Sequence, residues 1–141
     1  MIEVNGVAHV FLTVSRIEVA MPFYERLLNF MGLRTVMKAE GAMLYCVGGR
    51  TAVGVQAADA RYRDERFVQP RVGLHHLCLR ARTREDVDRV YDELQAMGAT
   101  IVHPPGDGVW APGYYSVLFE DPDGIRLEVN FVPGKGLLAA T

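Results

Sequence analysis

The chain has 141 residues, a formal net charge of −2, and 50% hydrophobic, 23% charged and 9% aromatic residues. That length suits one domain with its own core, and the composition excludes a disordered, collagen-like or coiled-coil chain. Without a basic excess it lacks the electrostatic footprint of nucleic-acid or anionic-membrane binding.

The N-terminal stretch Met1-Ile2-Glu3-Val4-Asn5-Gly6 has no basic n-region and no apolar h-region, so no secretory signal is expected. No apolar run approaches the roughly 18 residues of a membrane span. Cys46 and Cys78 each sit in an apolar, strand-like run. They read as buried free thiols, which would suit a reducing, cytoplasmic compartment, with a disulfide between them as the unsupported alternative.

The first strand, His9–Val14, alternates His9, Phe11 and Thr13 with Val10, Leu12 and Val14, which is strand periodicity with one face toward a core. Ser15-Arg16-Ile17-Glu18 then reads as a capping box. Ala20, Tyr24, Leu27, Leu28 and Met31 recur at helical spacing until Gly32 stops the helix. Three strand-like runs follow, at about 34–39, 43–47 and 52–57. After a polar connector, 58–73, the same order returns. His76–Ala81 is a strand, Thr83-Arg84-Glu85-Asp86 a weaker capping sequence, and Val87, Val90, Tyr91, Leu94 and Met97 an apolar stripe ending at Gly98. Strands at about 100–103, 115–120 and 125–132 complete it, the last two split by the turn Asp121-Pro122-Asp123-Gly124.

The chain therefore reads βαβββ twice, an internal repeat. Within a single domain, 1–141, the modules are 7–57 and 74–132, with connector 58–73 and tail 133–141. The expected fold is α+β: a cupped, partly open, mixed eight-stranded sheet with helices outside. The tail is expected either to be mobile or to cover an edge.

Duplicated βαβββ modules that open on a strand His resemble the vicinal-oxygen-chelate superfamily. That group takes in glyoxalase I, extradiol dioxygenases, methylmalonyl-CoA epimerase, fosfomycin-resistance transferases and bleomycin-binding proteins. Three segments carry the resemblance: Phe23-Tyr24-Glu25-Arg26-Leu27-Leu28, Gly73-Leu74-His75-His76-Leu77 and Asp121-Pro122-Asp123-Gly124-Ile125-Arg126-Leu127-Glu128. It extends from Val7 to about Val132.

His9, His76 and Glu128 match the family's metal-ligand positions, and their strand parity puts all three on one face of the sheet. Two imidazoles and a carboxylate suit one divalent ion, Fe, Mn, Ni, Co or Zn, with positions left for water and substrate. Some relatives add Glu or Gln from the last strand of module one. Here Gln56 has the right parity, yet Val53-Gly54-Val55 is the closer internal match to Leu127-Glu128-Val129. His75 has the opposite parity from His76 and reads as a helix-facing or edge residue, or as a partner behind the metal ligands only if the strand is bulged. His103, before Pro104-Pro105, reads as a surface-loop residue.

For a small-molecule ligand, Phe11, Tyr45, Trp110, Tyr114, Tyr115 and Arg80 are the candidate lining residues. Trp110, Tyr114 and Tyr115 come from the long loop 103–115, and Arg80 would suit an anionic group.

The resemblance implies a metal-dependent, glyoxalase-like lyase or isomerase that chelates adjacent oxygens of a small metabolite, with Glu128 as the proton shuttle. A second carboxylate for that work is not identifiable. An Fe(II)-dependent ring-cleavage dioxygenase and a non-catalytic drug- or metabolite-binding protein of the bleomycin-resistance type are the alternatives. A fosfomycin-type transferase is disfavoured, because Pro112-Gly113-Tyr114-Tyr115-Ser116 stands where a polar phosphonate loop is expected. Exposed sheet edges point to a homodimer.

Overall fold

The alternation of His9–Val14 is realised as strand β1 (His9–Val14), in which Leu12 and Val14 are buried. Around it, the computed structural model describes residues 1–4 and 6–136. The eight strands divide four and four, and the chain divides into two units, 1–66 and 67–141. The tail, 133–141, falls largely outside the described residues. No helix among the described residues is long and apolar enough to cross a membrane.

In the first unit, β1 is followed by α1 (Ile17–Phe30), β2 (Arg34–Ala39), β3 (Met43–Gly48) and β4 (Thr51–Ala57). The sheet order is β1-β4-β3-β2, with β1 parallel to β4 and the other pairs antiparallel. The parallel pairing needs a crossover, which α1 supplies. Ile17, Ala20, Met21, Tyr24, Leu27 and Leu28 are the buried stripe of α1. They cover the face bearing Leu12, Val14, Leu44, Cys46, Val53 and Val55, all nearly inaccessible. That burial takes these side chains out of water, at roughly 1.5–3 kcal/mol for each large aliphatic one. The helix starts one residue later than the capping box predicts. Its N-cap is Arg16, which makes no side-chain cap hydrogen bond.

The second unit repeats the plan with β5 (Leu77–Arg80), α2 (Arg84–Ala96), β6 (Thr100–Asp107), β7 (Tyr115–Glu120) and β8 (Arg126–Phe131). Its order is β5-β8-β7-β6, with β5 parallel to β8. Here the weaker sequence does cap: Thr83 Oγ1 accepts from Asp86 N–H at 3.1 Å. Val87, Val90 and Leu94 of α2 are buried, as are Val117, Phe119, Leu127 and Val129 of the sheet. β6 runs on through Pro104 and Pro105, which the sequence placed in a loop. It is an edge strand, where a missing N–H costs no central ladder bond.

The turn before β8 is built by Asp121. Its carboxylate accepts from the N–H groups of Asp123 and Ile125, each at 2.8 Å. Gly124, at φ +85°, takes the left-handed position. The same turn anchors the start of the unit, because Phe67 N–H donates to Asp123 O at 3.1 Å.

Candidate functional site

Strand parity assigns Glu128 its face. Leu127 and Val129 are buried toward α2, so Glu128 between them projects from the opposite face of the sheet. Its carboxylate is 12% exposed and meets two partners. His76 Nε2 lies 3.3 Å from Oε2, and Tyr114 donates its hydroxyl proton to Oε1. His76 is 38% exposed and stands one residue before β5, outside the ladder.

The loop after β6 brings Tyr114 into place. Ala111-Pro112-Gly113-Tyr114 closes with Tyr114 N–H donating to Ala111 O at 3.0 Å. Proline second and a glycine at φ +72° third fit a type II turn. Gly108 N–H donates to Tyr114 O at 2.9 Å, and a Cβ on Gly108 would run into the Tyr114 ring. Gly108 is thus the space the ring needs. Burial, then the bond to Glu128, pushes the Tyr114 hydroxyl up to about 12. Neighbouring Cys78 is pushed up to about 12 by burial and by the charge of Glu128, so it remains a thiol.

His75 departs from its parity reading. The strand begins only at Leu77, so alternation does not govern residue 75. Its Nδ1 lies 2.8 Å from His76 Nδ1 and 3.3 Å from Gln69 Nε2. Gln69 comes from the connector, where no periodicity or motif signals a role.

Tyr115 lies on the other face. Its hydroxyl donates to Asp88 of α2 at 2.7 Å, and the Arg84 guanidinium sits 3.8 Å above its ring. It fastens the helix to the sheet and does not accompany Glu128. This corrects its assignment as a lining residue. Arg80, exposed at the end of β5, has the parity of Cys78 and Glu128. Trp110 is 73% exposed. His103 is exposed within β6.

In the first unit, His9, Phe11 and Tyr45 gather on the face away from α1. Phe11 and Tyr45 stack, with centroids 5.4 Å apart and planes 10° apart, and His9 meets both rings edge-on. Gly54 lies between Phe11 and Tyr45 in the ladder, and a Cβ there would enter the Phe11 ring. Gln56 pairs with Thr13 and donates to its Oγ1 at 3.3 Å.

Among the described residues, no three His, Cys, Asp or Glu side chains gather as a metal group. The His76–Glu128 pair nonetheless has the donor chemistry of two metal ligands. Ligands at about 2.1 Å from one ion and about 90–109° apart are about 3.0–3.4 Å from each other, which brackets the observed 3.3 Å.

The Glyoxalase/Bleomycin resistance protein/Dioxygenase superfamily matches residues 6–129, and the chain belongs to that superfamily. The uncharacterized protein YqjT of Bacillus subtilis is 30% identical over 125 residues, covering 86% of this chain and 94% of YqjT. The virulence protein STM3117 of Salmonella typhimurium is 26% identical over 128 residues, covering 90% and 84%. Among solved structures, a candidate glyoxalase from Bacillus halodurans superposes with a TM-score of 0.78 at 27% identity, covering 91% of this chain and 96% of its own. A lactoylglutathione lyase from Agrobacterium tumefaciens shares the fold at a TM-score of 0.65 and 23% identity, covering 90% and 93%.

Proposed function

We propose that the protein is a metal-dependent, glyoxalase-like lyase or isomerase acting on a small oxygenated metabolite, with His9, His76 and Glu128 as the protein ligands of one divalent ion. The carrying observation is the His76–Glu128 pair, whose donor atoms are spaced as two ligands of one ion are. His9 is the third ligand because it matches the family's metal-ligand position. Gln56 is left out, because its ladder position corresponds to Asn130, not Glu128. A divalent ion bound there would supply Lewis acidity to adjacent substrate oxygens.

The chain's own groups do the rest. Tyr114 holds Oε1 of Glu128 and leaves Oε2 toward His76. Glu128 takes the substrate's C–H proton on a carboxylate oxygen and returns it to the neighbouring carbon. The Phe11–Tyr45 pair and Trp110 supply apolar surface for the organic part of the ligand, and Arg80 pairs with a negative group. A second copy covers the open edges β1 and β2, or β5 and β6. The free thiols Cys46 and Cys78 suit a reducing cytoplasm.

Parallel assays test the reading. Turnover of a 2-oxoaldehyde–glutathione adduct without oxygen uptake, falling at least about 100-fold in His76→Ala, is the expected result. Oxygen uptake with catechols would move the protein to the dioxygenases. Tight binding of metabolites with no turnover in any assay would move it to the sequestering proteins.

A further inference from the structure

A row of polar groups runs behind His76: Gln69 Nε2, His75 Nδ1, His76 Nδ1, then His76 Nε2 facing Glu128 Oε2, at successive separations of 3.3, 2.8 and 3.3 Å. With the Gln69 amide nitrogen toward His75 and both rings neutral, the donors along it run one way. The Gln69 amide nitrogen is only a donor. His75 Nδ1 must therefore accept, and its ring proton sits on Nε2. His76 Nδ1 must then donate to His75. A neutral His76 so oriented has a bare Nε2, and that lone pair points at a carboxylate oxygen. The other carboxylate oxygen is already an acceptor, for the Tyr114 hydroxyl. Two acceptors 3.3 Å apart repel unless a proton or a metal cation lies between them.

We infer that Gln69 and His75 are positioning residues that fix His76 as the Nδ1–H tautomer, so that Nε2 is presented to a divalent cation beside Glu128. The inference rests on the metal reading above and adds two residues to it. Neither Gln69 nor His75 needs to touch the ion. Gln69 is half-buried and tethered close to the Asp121 turn through Phe67, which gives the row a fixed origin.

The direction of the donors makes this separable from simple charge attraction. Gln69→Glu adds a negative charge near the ion, which Coulomb attraction alone would turn into tighter binding. The proton row predicts the reverse. A carboxylate at 69 accepts, so His75 Nδ1 must donate to it and can no longer receive the proton of His76.

The test titrates Zn(II) into the metal-free full chain of each variant by competition with a chromophoric chelator, with circular dichroism confirming the fold. Gln69→Glu should bind more weakly than Gln69→Ala. His75→Ala should lose about 10- to 100-fold in affinity, the usual effect of losing a partner behind a ligand. His75→Asn, whose amide oxygen can accept from His76 Nδ1–H, should recover much of that loss. In the Zn(II)-loaded wild type, a slowly exchanging Nδ1–H proton of His76 should appear in the proton spectrum and vanish in His75→Ala. Binding by Gln69→Glu equal to or tighter than Gln69→Ala, with the wild type binding Zn(II), would overturn the tautomer inference alone. A wild type that binds no Zn(II) would overturn the metal reading beneath it.

Discussion

Gly54 stands in the first sheet at the ladder position that Glu128 holds in the second. Gly54 pairs with Phe11 on β1 as Glu128 pairs with Cys78 on β5. On the other side it pairs with Tyr45, as Glu128 pairs with Leu118. One module thus carries a carboxylate, and the other a bare backbone roofed by two stacked aromatic rings. The repeat is complete in fold and asymmetric in chemistry.

That asymmetry predicts a coupled pair. Gly54→Ala should cost about 1–3 kcal/mol, because a methyl there displaces the Phe11 ring from its stack. In a Phe11→Ala background the same change should cost less than about 0.5 kcal/mol. Urea denaturation of the four proteins completes the cycle. Equal costs in both backgrounds would show that the ring is not what excludes a side chain.

Tyr114→Phe removes the hydroxyl that donates to a mostly buried carboxylate. It should lower stability by about 1.5 kcal/mol at neutral pH. The sign of its pH dependence follows from a folded value of about 12 against an ordinary 10. The native state holds the phenolic proton more tightly than the unfolded chain does. Its contribution is therefore complete below about pH 10 and lost as pH rises through about 12. Thermal melts between pH 8 and 12 should fall less steeply in Tyr114→Phe than in wild type. Cys78, raised in the same direction, supplies part of the remaining slope from about pH 9 upward.

Cys78 should be a slow thiol. A value of about 12 instead of 9 leaves roughly 1000-fold less thiolate at pH 8. Higher intrinsic nucleophilicity returns only part of that, so alkylation should be roughly 50-fold slower than for a free cysteine. Glu128→Gln removes the second of the two causes and should speed it. Iodoacetamide labelling read by peptide mass spectrometry checks both, and a rate indifferent to Glu128→Gln would contradict the contact.

The strands and helices were legible because each module's apolar period changes once from two to 3.6 and back. His9 and Glu128 sit in regular ladders, so parity reads them directly. His75 and Tyr115 were misread at places where a strand has not begun or has just begun. The ladder opens at Leu77, which leaves His75 able to turn its ring toward His76. The turn ending at Tyr114 puts that ring on Glu128 and sends the next residue to the helix face. Gln69 was invisible because its importance lies in a hydrogen bond across an irregular segment. Ser15-x-x-Glu18 looked the better cap, but α1 starts at Ile17, after Arg16.

As ligands of one ion, His76 and Glu128 should hold a metal through purification. Elemental analysis of protein purified without chelator measures this most directly. About one divalent metal per chain is expected in the wild type, and essentially none in folded His76→Ala and Glu128→Gln. A metal-free wild type that takes up none on dialysis, or full occupancy surviving both substitutions, would contradict it.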